Sequence, residues 1–202
     1  MVEKTFELEL DRLADSVKNL LSFTRLPRPQ LRPLNVNEVL EELIHLNEPW
    51  FLARNIRLST HLSSDLPPIL GDSTHLQTLF LNLITNALDA MPRGGVLTIK
   101  TWQIPPPLSS EGVNWLEISI TDTGIGITEE SKKRIFDPFF TTKGIGEGTG
   151  LGLAICEKII KEHSGRIDLK SEVGKGSTFF VYIPVFERNE SDEQNISPSL
   201  SR

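Results

Sequence analysis

Residues 71–91 read GDSTHLQTLFLNLITNALDAM, and this stretch predicts the central helix of the fold. Its apolar residues recur at intervals of three and four, which is the period of an amphipathic helix. These residues are Leu76, Leu79, Phe80, Leu83, Ile84, Ala87, Leu88 and Met91. Asp72 lies directly before the pattern, where a short polar side chain caps the first free backbone amides of a helix. We therefore expect a helix that begins after Asp72 and buries one apolar face.

A polar row lies on the same predicted helix, away from the apolar face. Asn82, Asn86 and Asp89 are separated by four and three residues, so their side chains share one face. Asparagine is a poor helix former because its amide competes for backbone hydrogen bonds, so two of them one turn apart call for a reason. Two interpretations are open here: a solvated helix face, or a row of oxygen ligands for a hard cation or a polyphosphate.

The overall composition narrows the class of protein. The chain has 202 residues, of which 24% are charged and 38% are hydrophobic, as is usual for a globular protein. The net charge of −6 gives no general attraction to nucleic acid or to an anionic membrane. The single cysteine, Cys156, excludes an intrachain disulfide and a cysteine-based metal site. No apolar run reaches the ~18 residues that span a bilayer and no signal peptide opens the chain, so we expect a cytoplasmic chain without membrane contact.

The two ends of the chain differ in character from its middle. Residues 5–26 predict a long helix with a heptad seam, formed by Phe6, Leu10, Leu13, Val17 and Leu20. Such a seam packs either on its own domain or on another helix, and we favour a partner helix, for example one from a second chain. Residues 27–34 are rich in proline and predict a linker. From residue 187 onward the sequence is polar, which predicts a disordered tail.

Between these ends, strands alternate with helices. Helices are predicted over residues 35–51, 72–91, 128–135 and 151–164, the last with Gly165 as its C′ residue. Strands are predicted over residues 56–62, 96–102, 115–121, 166–172 and 177–184. Several strand pairs are joined as hairpins, which indicates an α+β fold: a mixed sheet covered on one face by helices.

The stretch TDTGIGI, residues 121–127, is a second candidate site. A predicted strand ends at Asp122, and Gly124 and Gly126 follow at two-residue spacing. Such glycines let the backbone approach a ligand closely, and an ionised aspartate selects a ligand with an amino donor, such as adenine. Ile125 and Ile127 would supply apolar walls. On its own the pattern also fits an ordinary turn.

A third candidate is GIGEGTGLGLAI, residues 144–155, in which five glycines lead directly into a helix. Backbone amides at a helix N-terminus bind anions, whereas the alternative is a flexible linker. The run fits neither the P-loop nor the dinucleotide fingerprint. Lys143, just before it, would place a cation near a terminal phosphate, and the nearby cluster Lys132, Lys133 and Arg134 predicts a solvated face.

The segment FDPFFTTK, residues 136–143, precedes this run. Its aromatic residues Phe136, Phe139 and Phe140 would pin a mobile loop to the core, and Pro138 would stiffen that loop. Aromatic residues at such positions are more often part of a core than of a site.

Taken in order, these motifs resemble the ATP-binding catalytic domain of two-component sensor histidine kinases, over about residues 35–186. The motifs are Asn82-x-x-x-Asn86-Ala87, Asp122-x-Gly124-x-Gly126, the phenylalanine-rich segment and Gly148-Thr149-Gly150-Leu151-Gly152. The resemblance implies a two-layer α/β sandwich of the GHKL ATPase type, shared with gyrase B and the Hsp90 chaperones. In that fold ATP lies between helices on one face of the sheet, under a lid.

The resemblance also implies roles for individual residues. Asn86 would hold Mg²⁺, Asn82 would contact the metal or the phosphates, and Asp122 would accept a hydrogen bond from the adenine amino group. Residues 136–150 would form the lid, and Asn82 and Lys143 would be catalytic. The implied ATP-binding set is Asn82, Asn86, Asp89, Asp122, Gly124, Gly126, Ile127, Lys143, Gly148, Thr149, Gly150, Leu151 and Gly152. Within this set Asp89 stands where the family is more variable.

The N-terminal helix, residues 1–26, resembles the second helix of the family's dimerisation and phosphotransfer hairpin. The phosphoacceptor motif, a His-Glu-x-x-x-Pro pattern, is absent: His45, His61, His75 and His163 all lack that context, and structural or surface roles are expected for them. The chain is therefore interpreted as a fragment that begins after the first hairpin helix. Its expected partners are that histidine-bearing helix, a response-regulator receiver domain and a second copy in a full-length homodimer. The parent protein could be membrane-anchored.

Two other functions fit the same resemblance. A hydrolytic GHKL ATPase carries glutamate where Asn82 stands, and an amide is no general base for water, so the sequence disfavours hydrolysis. A non-enzymatic regulatory module that binds nucleotide, or has lost it, would act through its N-terminal helix. The intact motifs disfavour lost binding.

Overall fold

The computed structural model describes residues 27–105, 113–144 and 148–186. The predicted heptad seam of residues 5–26 and the predicted tail from residue 187 lie outside the described residues. The lid region is described up to residue 144 and again from residue 148.

The central helix, α2 (Ser73–Ala90), confirms the amphipathic pattern in the sequence. All eight predicted apolar residues are at most 4% exposed. Asp72 is the N-cap, and its carboxylate accepts hydrogen bonds from the amides of Thr74 and His75. The second oxygen of the same carboxylate accepts from the amide of Gln30 at 2.8 Å, so the N-terminus of α2 also holds the chain that leads into the domain.

Five strands form the main sheet, in the spatial order β2-β4-β5-β7-β6. They are β2 (Ile56–Leu62), β4 (Gly95–Ile104), β5 (Trp115–Asp122), β6 (Arg166–Glu172) and β7 (Gly176–Pro184). Only β2 and β4 pair in parallel, and α2 lies in the crossover between them; the other neighbours are antiparallel. The predicted hairpins and the predicted mixed sheet are confirmed.

Helices cover one face of this sheet. Besides α2 they are α1 (Val36–Ala53) and α4 (Gly152–Glu162), whereas the single turn α3 (Glu129–Lys132) has no buried residue. One side of each central strand is buried with the apolar faces of the helices in a single core; the register places Ile99 beside Ile120, and Ile120 beside Phe179. In the described part of the chain no helix is long and apolar enough to cross a membrane.

Two short strands depart from the sequence analysis. β1 (Arg32–Leu34) lies in the predicted linker, and β3 (Ile69–Gly71) lies between the predicted strand 56–62 and the predicted helix 72–91, where no strand is predicted. The two strands pair antiparallel in a sheet of their own. The pairing places Leu34 beside Ile69, which is fully buried. Each strand has three residues, which is too short for the alternation that signals a strand in sequence.

The end of α4 also differs from the prediction. Ser164, not Gly165, takes the left-handed conformation, with φ 56°. The amide of Ser164 donates to Lys161 O and the amide of Gly165 donates to Ile160 O, which is a Schellman motif with Ser164 at C′. Gly165 is required for a different reason, because a Cβ there would lie 2.3 Å from Tyr182 O on the adjoining strand.

Candidate functional site

The predicted site residues come together around the C-terminal half of α2. The loop after β5 contacts the last turn of α2, where the amide of Ile125 donates to Ala90 O at 3.1 Å. The N-terminus of α4 lies against Asn82, which is also on α2: a Cβ on Gly152 would lie 2.9 Å from Asn82 Oδ1. The motifs from residues 82–89, 121–127 and 148–152 thus form one region.

Asp122 ends β5 on the helix-facing side of the sheet and is 3% exposed. Its Oδ1 accepts from the amide of Gly124 at 2.8 Å and from the amide of Ser177 at 3.3 Å. Burial raises the pKa of Asp122 above its usual value, although these two hydrogen bonds act in the opposite direction. Both amides bond to Oδ1, so Oδ2 is the oxygen left to accept from a ligand.

The glycines that follow Asp122 approach the protein's own backbone. A Cβ on Gly124 would lie 2.5 Å from Ala90 O, and a Cβ on Gly126, which has φ 72°, would lie 2.1 Å from Glu172 O. These glycines were predicted to let the backbone approach a ligand closely, but the close packing of the loop against α2 and β6 already requires glycine at both positions. Ile127 is partly buried against the core, whereas Ile125 is 64% exposed.

The N-terminus of α4 has the geometry of an anion site. Its N-cap residue, Leu151, makes no side-chain capping hydrogen bond, so the first amides of this 11-residue helix have no such acceptor. These amides carry the positive end of the helix dipole. Asn82 lies beside them, and its Nδ2 donates to Thr78 O at 2.9 Å, which turns Oδ1 toward Gly152.

Asn86 lies one turn further along α2 and differs from Asn82 in its partners. It is partly buried, and within the described residues its amide makes no hydrogen bond. A buried or half-buried amide normally finds a partner. Asn86 therefore presents a free oxygen and a free donor one turn from Asn82 on α2.

Asp89 holds two cations. Its Oδ2 accepts from Lys143 Nζ at 2.6 Å and its Oδ1 accepts from Arg54 Nη1 at 2.8 Å. Burial raises the pKa of Asp89, but the hydrogen bonds and charges of Lys143 and Arg54 outweigh this and hold the pKa below its usual value. Lys143, predicted to face a terminal phosphate, is thus paired with Asp89 in this structure.

The segment before the glycine run departs in part from its predicted role. Phe136 and Phe140 are partly buried and pack on the core, as predicted. Phe139 is 64% exposed and has φ 67°, which is unusual for a bulky residue. Its amide donates to Gly150 O, and Gly150, with φ 66°, has no room for a Cβ, which would lie 2.4 Å from Phe139 C. Phe139 therefore does not pin the segment to the core.

The chain was compared with known proteins. Residues 71–187 match the family described as histidine kinase-, DNA gyrase B-, and HSP90-like ATPase. This match covers more than half of the chain. The chain belongs to this ATPase family.

Individual relatives of this ATPase-family domain are sensor kinases. It is 36% identical over 197 residues to the sensor kinase CckA of Brucella abortus, covering 93% of this chain and 20% of the relative. The solved structure of full-length ShkA in complex with AMPPNP is similar, with TM-score 0.71, 27% identity and coverage of 89% of this chain and 37% of that one. Histidine kinase ThkA in complex with response regulator protein TrrA gives TM-score 0.68, 30% identity and coverage of 88% and 48%.

These comparisons confirm the resemblance to the ATP-binding domain of sensor histidine kinases, and they confirm the GHKL fold class. The ATPase-family chain spans between about a fifth and two fifths of the length of the curated relatives that it matches.

Sequence reasoning missed several residues of the site. Arg54, the second cation on Asp89, and Ser177, the second donor to Asp122, lie on distant segments and carry no local signal. Lys132 was predicted to be solvated, but it is 22% exposed and donates to Ser171 O and Glu129. Within the described ranges no group of three or more His, Cys, Asp or Glu side chains is placed to hold a metal ion.

Proposed function

We propose that this domain binds ATP with Mg²⁺ and presents the γ-phosphoryl group to a histidine outside the chain. The observation that carries the proposal is the N-terminus of α4, where amides without a side-chain cap lie beside Asn82, with the unpaired Asn86 one turn further along α2. Backbone amides at a helix start bind phosphate oxygens. The residues of this cradle would be Gly148 to Gly152.

The adenine end of the site would lie at Asp122. The base carries an amino donor, and a buried carboxylate with one oxygen held by two amides has the other free to accept from it. Gly124, Gly126 and Ile127 would form the wall beside the base, since their backbone is fixed against α2 and β6.

The side chains present fit a magnesium ion that is held partly by its substrate. Mg²⁺ prefers oxygen ligands and usually takes only one or two from protein, with phosphates and water supplying the others. The free side-chain oxygen of Asn86 is such a ligand, and the absence of a carboxylate cluster in the described residues agrees with this kind of site. When bound, Mg²⁺ neutralises charge on the phosphates.

The protein's contribution to the transfer would be positioning and charge. In the transfer, the bond from the γ-phosphorus to the ADP oxygen breaks, a bond to an imidazole nitrogen forms, and the imidazole loses its proton. Asn82 would orient the phosphates as a hydrogen-bonding amide, and Lys143 would place a cation at the γ-phosphate. Hydrolysis by water is disfavoured because Asn82 occupies the position at which a hydrolytic ATPase carries a glutamate base, and an amide is no general base.

We infer the wider roles from the relatives. As in the ThkA–TrrA complex, a response-regulator receiver domain would take the phosphoryl group onto an aspartate. The histidine would come from the first helix of a hairpin, and the parent kinase would act as a homodimer. A hydrolytic ATPase and a non-enzymatic regulatory module are the two alternatives. Asn82 argues against the hydrolytic ATPase, and the intact cradle argues against a module that has lost nucleotide binding.

Isothermal titration tests the binding part of this proposal. We expect the chain to bind ATP with Mg²⁺, and Asp122→Asn to weaken binding at least about tenfold, because the new amide places a donor opposite the adenine amino donor. Ser59→Ala, on the far edge strand β2, is the control and should bind like the unaltered chain. A folded Asp122→Asn variant with unchanged affinity would overturn the adenine assignment, and no heat with the unaltered chain would overturn the function.

A further inference from the structure

Asp89, Lys143 and Arg54 form an ion-pair cluster at the end of α2. Asp89 shares a helix face with Asn82 and Asn86, and for this reason it was expected to bind the nucleotide directly. Both of its oxygens are instead occupied, one by Lys143 and the other by Arg54. A magnesium ion bound to Asp89 would lie next to these two cations and be repelled by them.

The cluster joins three parts of the fold. Arg54 is the C-cap residue of α1, Asp89 lies in the last turn of α2, and Lys143 begins the glycine-rich run. Lys143 and Asp89 are 34% and 29% exposed, so the pair is partly withdrawn from water, which strengthens a charge-assisted hydrogen bond of 2.6 Å. Two cations on one carboxylate leave a net charge of about +1 at this position.

We propose that Asp89 is a positioning residue that holds Lys143 beside Asn86, so that the site distinguishes ATP from ADP. This inference rests on the proposed function. Lys143 has a long flexible side chain in a glycine-rich segment, and fixing such a chain in advance lowers the entropy lost on binding. Asp89 fixes it on α2, one turn from the side chain that faces the phosphates.

The two ion pairs also explain how a carboxylate can lie close to the proposed triphosphate site. A lone carboxylate there would repel the phosphates, whereas Arg54 and Lys143 together more than neutralise it. The ammonium of Lys143 has three donors, so it can keep its bond to Asp89 and donate to a phosphate as well, while Arg54 compensates the other carboxylate oxygen. The expected contribution of Lys143 is therefore specific to the nucleotide that carries a γ-phosphate.

Binding of ATP and ADP to four variants tests the inference. Asp89→Asn and Lys143→Met should each weaken ATP binding by about three- to tenfold, the size of one ordinary hydrogen bond or partly exposed ion pair, and change ADP binding little. The double variant should be no weaker than either single one, since both remove the same interaction. Asp89→Glu, which keeps the carboxylate, should retain most of the preference for ATP.

Glu172→Gln is the matched control, because Glu172 pairs with Lys175 at 2.6 Å on an exposed turn. It should leave both affinities unchanged. Equal losses for ATP and ADP in Asp89→Asn, additive losses in the double variant, or tighter ATP binding would each overturn the inference.

Hydrogen exchange without nucleotide separates this inference from the proposed function. Residues 141–144 should exchange faster in Asp89→Asn and in Lys143→Met than in the unaltered chain, and at the same rate in Glu172→Gln. Unchanged exchange in both variants would overturn the positioning role, even if the chain binds ATP as proposed. If the unaltered chain binds no ATP, the proposed function fails and the inference about ATP preference fails with it.

Discussion

At the scale of single residues, His163 illustrates how backbone groups set a protonation state. It is 2% exposed, and its Nε2 lies 3.0 Å from the amide nitrogen of Asp72, which can only donate. Nε2 must therefore accept, the ring proton must be on Nδ1, and Nδ1–H donates to Ile159 O at 2.8 Å. The neutral imidazole thus joins the end of α4 to the start of α2.

This arrangement predicts a pH dependence of stability. Burial lowers the pKa of His163 and so does nearby His75, while the Ile159 carbonyl, Asp72 and Glu162 act in the opposite direction with smaller effect. Below the ordinary histidine pKa of about 6.5, the unfolded chain takes up a proton that the folded chain resists, so stability falls as pH falls. The slope from this residue is at most about 1.4 kcal/mol per pH unit.

Urea unfolding at pH values from 7.5 to 5 would measure this slope. We expect His163→Gln, which has no titrating ring, to lose less stability over this range than the unaltered chain. His61→Gln, at an exposed position on β2, is the control and should keep the original slope. Parallel curves for the unaltered chain and His163→Gln would contradict the account.

Residue-level features were only partly predictable from sequence. Asp72 as a helix cap was predictable, because capping depends on the adjacent residues alone. The two ion pairs of Asp89 were not, since Lys143 is 54 positions away and Arg54 is 35 positions away. The same holds for His163, whose position in the last turn of a predicted helix gave no sign of its bond to Asp72.

At the scale of elements, α2 provides the helix surface around which the layers assemble. Its apolar face is buried against the sheet and α4, while its polar face carries Asn82, Asn86 and Asp89. The helix therefore supplies both core and candidate site, and its position is fixed by burial rather than by the site residues.

Truncation of one α2 residue should measure this burial. Leu83 is fully buried, and Leu83→Ala should destabilise the fold by about 2–5 kcal/mol, the usual cost of such a cavity. Leu46 on α1 is 68% exposed, and Leu46→Ala should change stability by less than about 0.5 kcal/mol. Similar losses in the two variants, measured by denaturant unfolding, would show that the core is not built on α2 as described.

Elements with strong periodicity were predictable, and short ones were not. The eight apolar residues of α2 and the alternating strands of the main sheet follow from burial of one face, which is visible in sequence. The strands β1 and β3 depend on each other for pairing, and their partners lie 39 residues apart at Arg32↔Gly71 and 35 residues apart at Leu34↔Ile69. Ser164 takes the left-handed position at the end of α4, and Gly165 lies where Tyr182 passes closely; neither fact is visible in the local sequence.

At the scale of the whole molecule, the fold brings three separated motifs to one helix. The order of the motifs indicated an ATP-binding domain, and family membership agrees with it. What no motif could predict is how the parts are held: the cradle at α4 lies against Asn82, the loop after β5 lies on Ala90, and Lys143 is bound to Asp89. These contacts depend on the packing of distant segments.

A phosphotransfer experiment directly tests whether this domain transfers the γ-phosphoryl group of ATP to a histidine. The chain would be incubated with Mg²⁺, ATP labelled in the γ-phosphate, and a separate fragment that holds the first hairpin helix of its parent kinase with the phosphoacceptor histidine. We expect acid-labile label on that fragment, no label on the chain alone, and very slow release of phosphate into solution. Acid-labile label on the isolated chain, or rapid release of phosphate without labelled histidine, would contradict it.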